Sequence, residues 1–290
     1  MDQNRQVPRV LLATFNLMPD GEPEGHLVTA ALARRGVDAG WAVWDDPAVD
    51  WSAAELVAVR ATWDYHRRTA EFLAWAREVE SRTRLLNGAE LFAWNADKAY
   101  LVGLGDDVPC VPTALLDDRT LVTGLAEAAA RWGTVIVKPR VGASGNGVLV
   151  VTGPEDERLQ MLAPAPWVVQ PLVESVRTVG ETSVYVFGGR AVSQVDKRVG
   201  GDEVRVHEAY GGSSVAADLD PVRAALAEAA VTAVGARQGR EPAYARVDVM
   251  WWGDEWVVSE LELIEPGLYL DVDPGNAELF ADLVANLLGV

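Results

Sequence analysis

With 290 residues the chain is long enough for one to three domains around a sizeable buried core. A formal net charge of −18 disfavours nucleic acid and anionic membranes, which are bound through positive surface, and no apolar run approaches the roughly 18 residues of a membrane span. The single cysteine, Cys110, can form neither an internal disulfide nor a thiolate metal cluster, so a reducing cytoplasm is the expected compartment.

The opening, MDQNRQVPRV, carries no apolar leader. Val7–Phe15 then reads as a strand, Gly25–Arg35 as an amphipathic helix stopped by Gly36, and Gly40–Trp44 and Leu56–Thr62 as further strands. A helix near Arg68–Ser81 and a short strand at Leu85–Asn87 follow. Such alternation predicts a parallel sheet covered on both faces, with ligands collecting at the carboxyl ends of its strands. Arg60, Trp63, Asp64 and Tyr65 lie at one such end. From Val108 the texture becomes that of a compact α+β module: strands at Val111–Leu115, Thr134–Pro139, Gly147–Val151 and Trp167–Leu172, with helices at Asp118–Trp132 and Pro154–Leu162. Cys110, within VPCVPT, reads there as a small apolar residue. The last third opens with a hairpin, Thr182–Phe187 and Arg190–Arg198, turning on Gly188-Gly189. A helix from Asp220 to Gln238, a second hairpin (Tyr244–Trp251 and Trp256–Leu263) and a final helix, Asn276–Leu288, complete the chain. The expected class is mixed α/β and α+β, in three domains at 1–92, 93–174 and 175–290.

Twenty-two arginines accompany only three lysines, Lys98, Lys138 and Lys197. Lysine is a compact point charge where arginine is a planar fork, so the three exceptions suggest contacts with phosphate or acyl-phosphate oxygens. Lys138-Pro139 ends a β-branched strand, and RVGASGNG follows at Arg140–Gly147. Its glycines let the backbone approach a ligand closely, and Ser144, Gly145 and free amides can cradle phosphate oxygens. A strand rather than a helix follows these glycines, which excludes both a P-loop and a dinucleotide fingerprint and leaves a flap between two strands. The three histidines, His26, His66 and His207, lie in unrelated contexts and form no nucleophilic triad.

In the last hairpin Glu260 and Glu262 are two apart on a strand and share one face, with Arg246 and Asp248 on the polar face of the partner. A three-residue loop or a bulge sets Asp248 opposite Glu260 and Arg246 opposite Glu262; an unbulged two-residue turn puts Asp248 on the wrong face. Three facing carboxylates repel, so one tends to protonate unless a cation neutralises them, and oxygen-only ligands suit Mg2+. Arg246 is the alternative partner for one of them.

Lys-Pro before a Ser/Gly-rich loop between strands resembles the ATP-grasp superfamily, and the resemblance extends over most of the sequence. It implies an N-terminal parallel-sheet domain, a small central lid and a C-terminal domain with an antiparallel sheet. ATP and Mg2+ are the implied cofactors, with Mg2+ on Asp248, Glu260 and Glu262. Lys98 and Lys138 are implied at the phosphates. Gln170, with the hinge residues Pro171, Leu172 and Val173, is implied at adenine, and Glu181 near the ribose. Lys197 and Arg205 resemble the basic stretch that neutralises the transferred phosphoryl group. The segments RATWDY (60–65), WNADK (94–98) and ELELIEP (260–266) are most similar to the O-ureidoserine cyclo-ligases of cycloserine formation. That likeness implies a small amino-acid-like substrate, its carboxylate at Arg60, its amine at Asp64 or Glu265, and Tyr65 and Gly267 bordering it. An acyl phosphate would form and an amine displace phosphate, within one molecule or between two, and dimers are common in the superfamily. The competing expectations are a silent nucleotide-binding module and a small-molecule kinase.

Overall fold

Strands and helices alternate over the first third because short, near-continuous apolar runs at 10–14 and 56–61, buried on both sides, are each followed by apolar residues at helical spacing. The computed structural model describes residues 7–290, so the start of the opening segment, residues 1–6, lies outside the described residues. Strands β1 (Arg9–Thr14), β2 (Asp38–Val43), β3 (Leu56–Ala61) and β4 (Arg84–Leu85) form a parallel sheet in the order β2-β1-β3-β4. Helices α1 (His26–Arg34) and α2 (Thr69–Arg82) cover its two faces. Val10, Leu12 and Ala58 meet Val28 and Leu32 on one side, while Leu11, Val57 and Val59 meet Phe72, Ala76 and Val79 on the other.

Two short helices, α3 (Ala89–Asn95) and α4 (Tyr100–Leu104), which periodicity alone does not reveal, lead into a second sheet. It comprises β5 (Ala114–Leu116), β6 (Val135–Pro139), β7 (Leu149–Val151) and β8 (Trp167–Pro171), antiparallel in the order β5-β8-β6-β7 and backed by α5 (Leu121–Trp132). The helix expected at Pro154–Leu162 is only a 3-10 turn at Glu157–Met161. Asp156 accepts the Arg158 N–H and folds the chain locally, leaving too few residues to propagate an α-helix. Val111 does not join β5: its N–H donates to Val258 of the third sheet at 2.9 Å.

That sheet contains β9 (Glu181–Phe187), β10 (Arg190–Arg198), β11 (Ser213–Ala217), β12 (Tyr244–Trp252) and β13 (Glu255–Glu262), in the antiparallel order β11-β10-β9-β12-β13. Helix α6 (Pro221–Gln238) starts where Asp220 accepts the N–H groups of Val222 and Arg223, with proline at its first position. Its Ala227, Ala230, Val231 and Val234 cover one face through Val184, Val247, Val249 and Leu261. Helix α7 (Gly275–Leu288) returns to the first sheet, where buried Phe280 joins Tyr185, Tyr244, Val10 and Leu12 in a shared core. Asn87, at φ 66°, holds this junction: its side chain donates to the carbonyls of Tyr244 and Leu263 and accepts the Ala243 N–H, each at 2.8 Å. Among the described residues no helix is long and apolar enough to cross a membrane.

Candidate active site

Strand alternation places Lys197, Glu181, Ser183, Asp248, Arg246, Glu260 and Glu262 on the sheet face opposite α6. One end of that face is apolar, with Tyr185 and Tyr244 against Phe280; the other end is charged. Ser183, Asp248 and Glu260 form a cross-strand row, and Arg246 stands between Tyr185 and Glu262. The hairpin achieves this with a two-residue turn, Gly253-Asp254, because the register shifts at Ser259 between the Val249–Val258 and Asp248–Glu260 pairs. The bulge returns Asp248 to the face it must share.

All three lysines reach this face. Lys98 Nζ lies 3.0 Å from Glu260 and donates to the Gly142 carbonyl of the flap at 2.7 Å. Lys197 Nζ pairs with Glu181 and lies 3.3 Å from Asp248. Lys138 projects from β6 toward the same carboxylates; burial lowers its pKa, against the pull of Glu260. Gly180 allows the approach of β9 to β10 beside Glu181, since a Cβ there would collide with the Lys197 carbonyl oxygen.

Asp248 is 4% exposed. Arg246 grips both of its oxygens, at 2.9 and 2.8 Å, and Ser183 donates to it at 2.6 Å. Burial opposes its charge, but Arg246 and Lys197 outweigh that and hold its carboxyl well below the usual range. Burial also opposes charge on Glu260, which Lys98 and Lys138 nonetheless keep low. The balance reverses further along β13. Burial, with the negative field of Asp248 and Glu260, lifts Glu262 to about 7 despite Arg246; burial and Glu262 lift Glu265 to about 8. Arg246, shared with Asp248, also reaches Glu262, but burial outweighs it at this end of the cluster. The side chains of Glu260 and Glu262 remain 30% and 29% exposed, so both can turn an oxygen to an incoming cation. Among the described residues, however, no three acidic side chains already converge as a metal cage. Asp248, expected as a ligand, is turned into Arg246 and Lys197, so its oxygens are engaged before any metal arrives.

Several other expected residues are placed differently. Arg60 is 0% exposed and donates to Glu22 at 2.7 and 3.1 Å, with its guanidinium 5.0 Å from the Phe280 ring centre, so it forms a core ion pair. Asp64 accepts from Trp44 Nε1 at 3.0 Å and from Arg68 at 2.9 Å, a guanidinium that it shares with Asp45 at 2.7 Å. Gln170, expected at adenine, is buried and donates to Thr113 Oγ1 at 2.9 Å, and the Leu172 N–H donates to the Thr134 carbonyl. Val173 packs against Val111 and Val257. Arg205 pairs with Glu203 at 2.6 Å and stacks 3.5 Å from the Tyr210 ring centre, beside Gly145 of the flap and apart from Lys197. Ser144 and Gly145 both turn with positive φ at the flap tip. Tyr65 is buried within the field of Glu265, Glu262 and Glu260, and Gly267 accepts the Tyr185 hydroxyl at 2.6 Å. Cys110 is half-buried, and burial pushes its thiol up to about 12.

Sequence reasoning missed Glu22, Asn87, Asn95 and Ser183, whose roles depend on distant strands. A lone polar residue inside an apolar stretch was the available signal for Asn95.

A family model described as the N-terminal domain of D-cycloserine synthetase DcsG matches residues 10–87. The cycloserine biosynthesis protein DcsG of Streptomyces lavendulae is 32% identical over 268 residues, covering 87% of this chain and 90% of that protein. The crystal structure of D-cycloserine synthetase DcsG matches at a TM-score of 0.85 and 29% identity, over 97% of this chain and 99% of that one. The ATP-grasp ligase PsnB, solved with a minimal precursor, Mg and ADP, shares the fold at a TM-score of 0.64 and 17% identity, over 97% and 99% of the two chains. With that identity to DcsG across nearly the whole of both proteins, this chain belongs to the DcsG family of ATP-grasp ligases.

Proposed function

We propose that the chain uses ATP and Mg2+ to activate the carboxylate of a small amino-acid-like molecule as an acyl phosphate, which an amine of the same molecule then displaces to close a ring, as in cycloserine formation. The observation that carries this reading is the gathering of all three lysines onto the acidic face that holds Asp248, Glu260 and Glu262. Phosphoryl transfer needs positioning and charge neutralisation more than covalent help from the protein. Lys98 and Lys138 bind and orient the phosphates. Lys197, fixed between Glu181 and Asp248, keeps that end of the sheet neutral, and Glu181 borders the ribose. The flap, with Ser144 and Gly145 at its tip, excludes water from the hydrolysable acyl phosphate. Glu260 and Glu262 would hold Mg2+, backed by Asp248; that burial raises the Glu262 carboxyl even beside Arg246 fits a site that a divalent cation completes. Bound there, Mg2+ would offset the negative charge of the triphosphate. Pro171, Leu172 and Val173 line the adenine side through their backbone. Tyr65, Glu265 and Gly267 border the acceptor, where the raised Glu265 carboxyl can accept a proton from the substrate ammonium. The domains are taken as 1–92, 93–174 and 175–290.

The test is a panel of amino acids and their O-ureido derivatives, with ADP release and hydroxylamine trapping measured together. A hydroxamate formed only with ATP, Mg2+ and a carboxylate substrate supports the reading, as does its loss in Glu260→Gln. ADP release without hydroxamate points to a kinase, and tight nucleotide binding without turnover to a silent module.

A further inference from the structure

The segment Asn95-Ala96-Asp97-Lys98 is bound on two sides at once. Asn95, buried, donates its amide to the Leu261 carbonyl at 2.9 Å and accepts the Leu263 N–H at 2.9 Å, so it pairs with residues flanking Glu262 as a neighbouring strand would. Two residues on, the Asp97 carboxylate takes both arms of the Arg140 guanidinium, Nε at 2.8 Å, and the Lys98 N–H donates to the Arg140 carbonyl at 2.8 Å. Arg140 is the first residue of the flap, and Lys98 Nζ reaches Gly142 just beyond it. Four consecutive residues therefore span from the acidic strand β13 to the root of the flap. The Lys98 ammonium spends two of its three donors on Gly142 and Glu260, which leaves one for a phosphate. The Asn95 and Asp97 ties use other groups and do not depend on where that ammonium points.

We propose that Asn95 and Asp97 are positioning residues, a connector that fixes the root of the flap relative to Glu260 and Glu262 while the flap tip beyond Gly142 remains free to open and close. The inference rests on the ligase reading above. Fork-to-fork pairing of Arg140 with Asp97 sets direction as well as distance, which a single-point contact would not. Asp97 also caps the following turn by accepting the Ala99 N–H at 2.9 Å, a contact asparagine can keep. Asp97→Asn thus removes the charge-assisted fork while preserving the local helix start.

The experiment is a double-mutant cycle of Asp97→Asn and Arg140→Gln, read by kcat, by ADP released per hydroxamate or amide formed, and by hydrogen exchange across residues 141–148. Each single variant should lower kcat roughly tenfold, the scale of a sub-ångström misplacement, and raise ADP release without product, because a loose flap admits water. Exchange in 141–148 should quicken, and the double variant should be no worse than either single one. Arg140→Lys should recover part of the stability but not the coupling of ADP release to product. The proposal is overturned if wild type turns over while both single variants keep wild-type coupling and exchange, or if their effects simply add. A wild-type protein without ATP-dependent turnover would defeat the ligase reading instead, and the exchange data would then still decide whether the connector holds the flap.

Discussion

Asp248→Asn and Glu262→Gln each remove one negative charge from the same sheet face, and the structure assigns them very different costs. Asp248 is 4% exposed and neutralises Arg246 through two hydrogen bonds while facing Lys197 at 3.3 Å. Its loss takes one of two counterions from each of two buried cations, leaving Arg246 to Glu262 and Lys197 to Glu181, a defect that should cost about 3 kcal/mol. Glu262 is partly solvated, and Arg246 keeps both bonds to Asp248 when Glu262 is neutral, so the cost there should stay below about 1 kcal/mol. Urea unfolding followed by the fluorescence of the eleven tryptophans measures both. Mg2+-dependent turnover should collapse in the two variants alike. The sign of the pH dependence provides a second check. The native Asp248 carboxyl lies below its unfolded value, so its stabilisation is present above an unfolded pKa of about 3.9 and is lost as pH falls toward the native value. The gap between wild type and Asp248→Asn should therefore narrow below about pH 4. Equal stability losses in the two variants, or a larger one for Glu262→Gln, would refute this account of the cluster.

Glu262 shifts the opposite way, to about 7, so the protonated form favours folding; that contribution is full below an unfolded pKa of about 4.3 and is lost as pH rises toward 7. Mg2+ with nucleotide should accordingly raise Tm more at about pH 8 than at about pH 6, and an unchanged increment would exclude Glu262 as a ligand. Asn87→Ala removes four hydrogen bonds at the junction of the first and third sheets and should cost about 2–4 kcal/mol, whereas Asn87→Gly, freed of the φ 66° strain, should recover about 1 kcal/mol in the same unfolding assay. Phe280→Ala should cost about 3–5 kcal/mol by opening the core shared by α7 and the first sheet. Iodoacetamide at about pH 8 should label Cys110 slowly and leave turnover intact, because burial keeps its thiol protonated.

The sequence alone determined what depends on local spacing. Alternation gave the parallel first sheet and both late hairpins; the lysine-proline and glycine run marked the flap; and the two-residue step between Glu260 and Glu262 put them on one face, with either a three-residue loop or a bulge required to bring Asp248 level. Those statements need only the period of a strand and the conformational freedom of glycine. The ionic partners were decided in three dimensions. Arg60 and Asp64 stand at the end of a strand, as a ligand-binding pair would, yet Glu22 and Arg68 neutralise them because the loop after β1 and the start of α2 fold back over that end. Arg246 could be read as a partner for one carboxylate, but that it serves both Asp248 and Glu262 follows from the cross-strand register. Whether a charged side chain faces a ligand or another residue depends on which distant segment desolvates it, and neither periodicity nor composition encodes that contact.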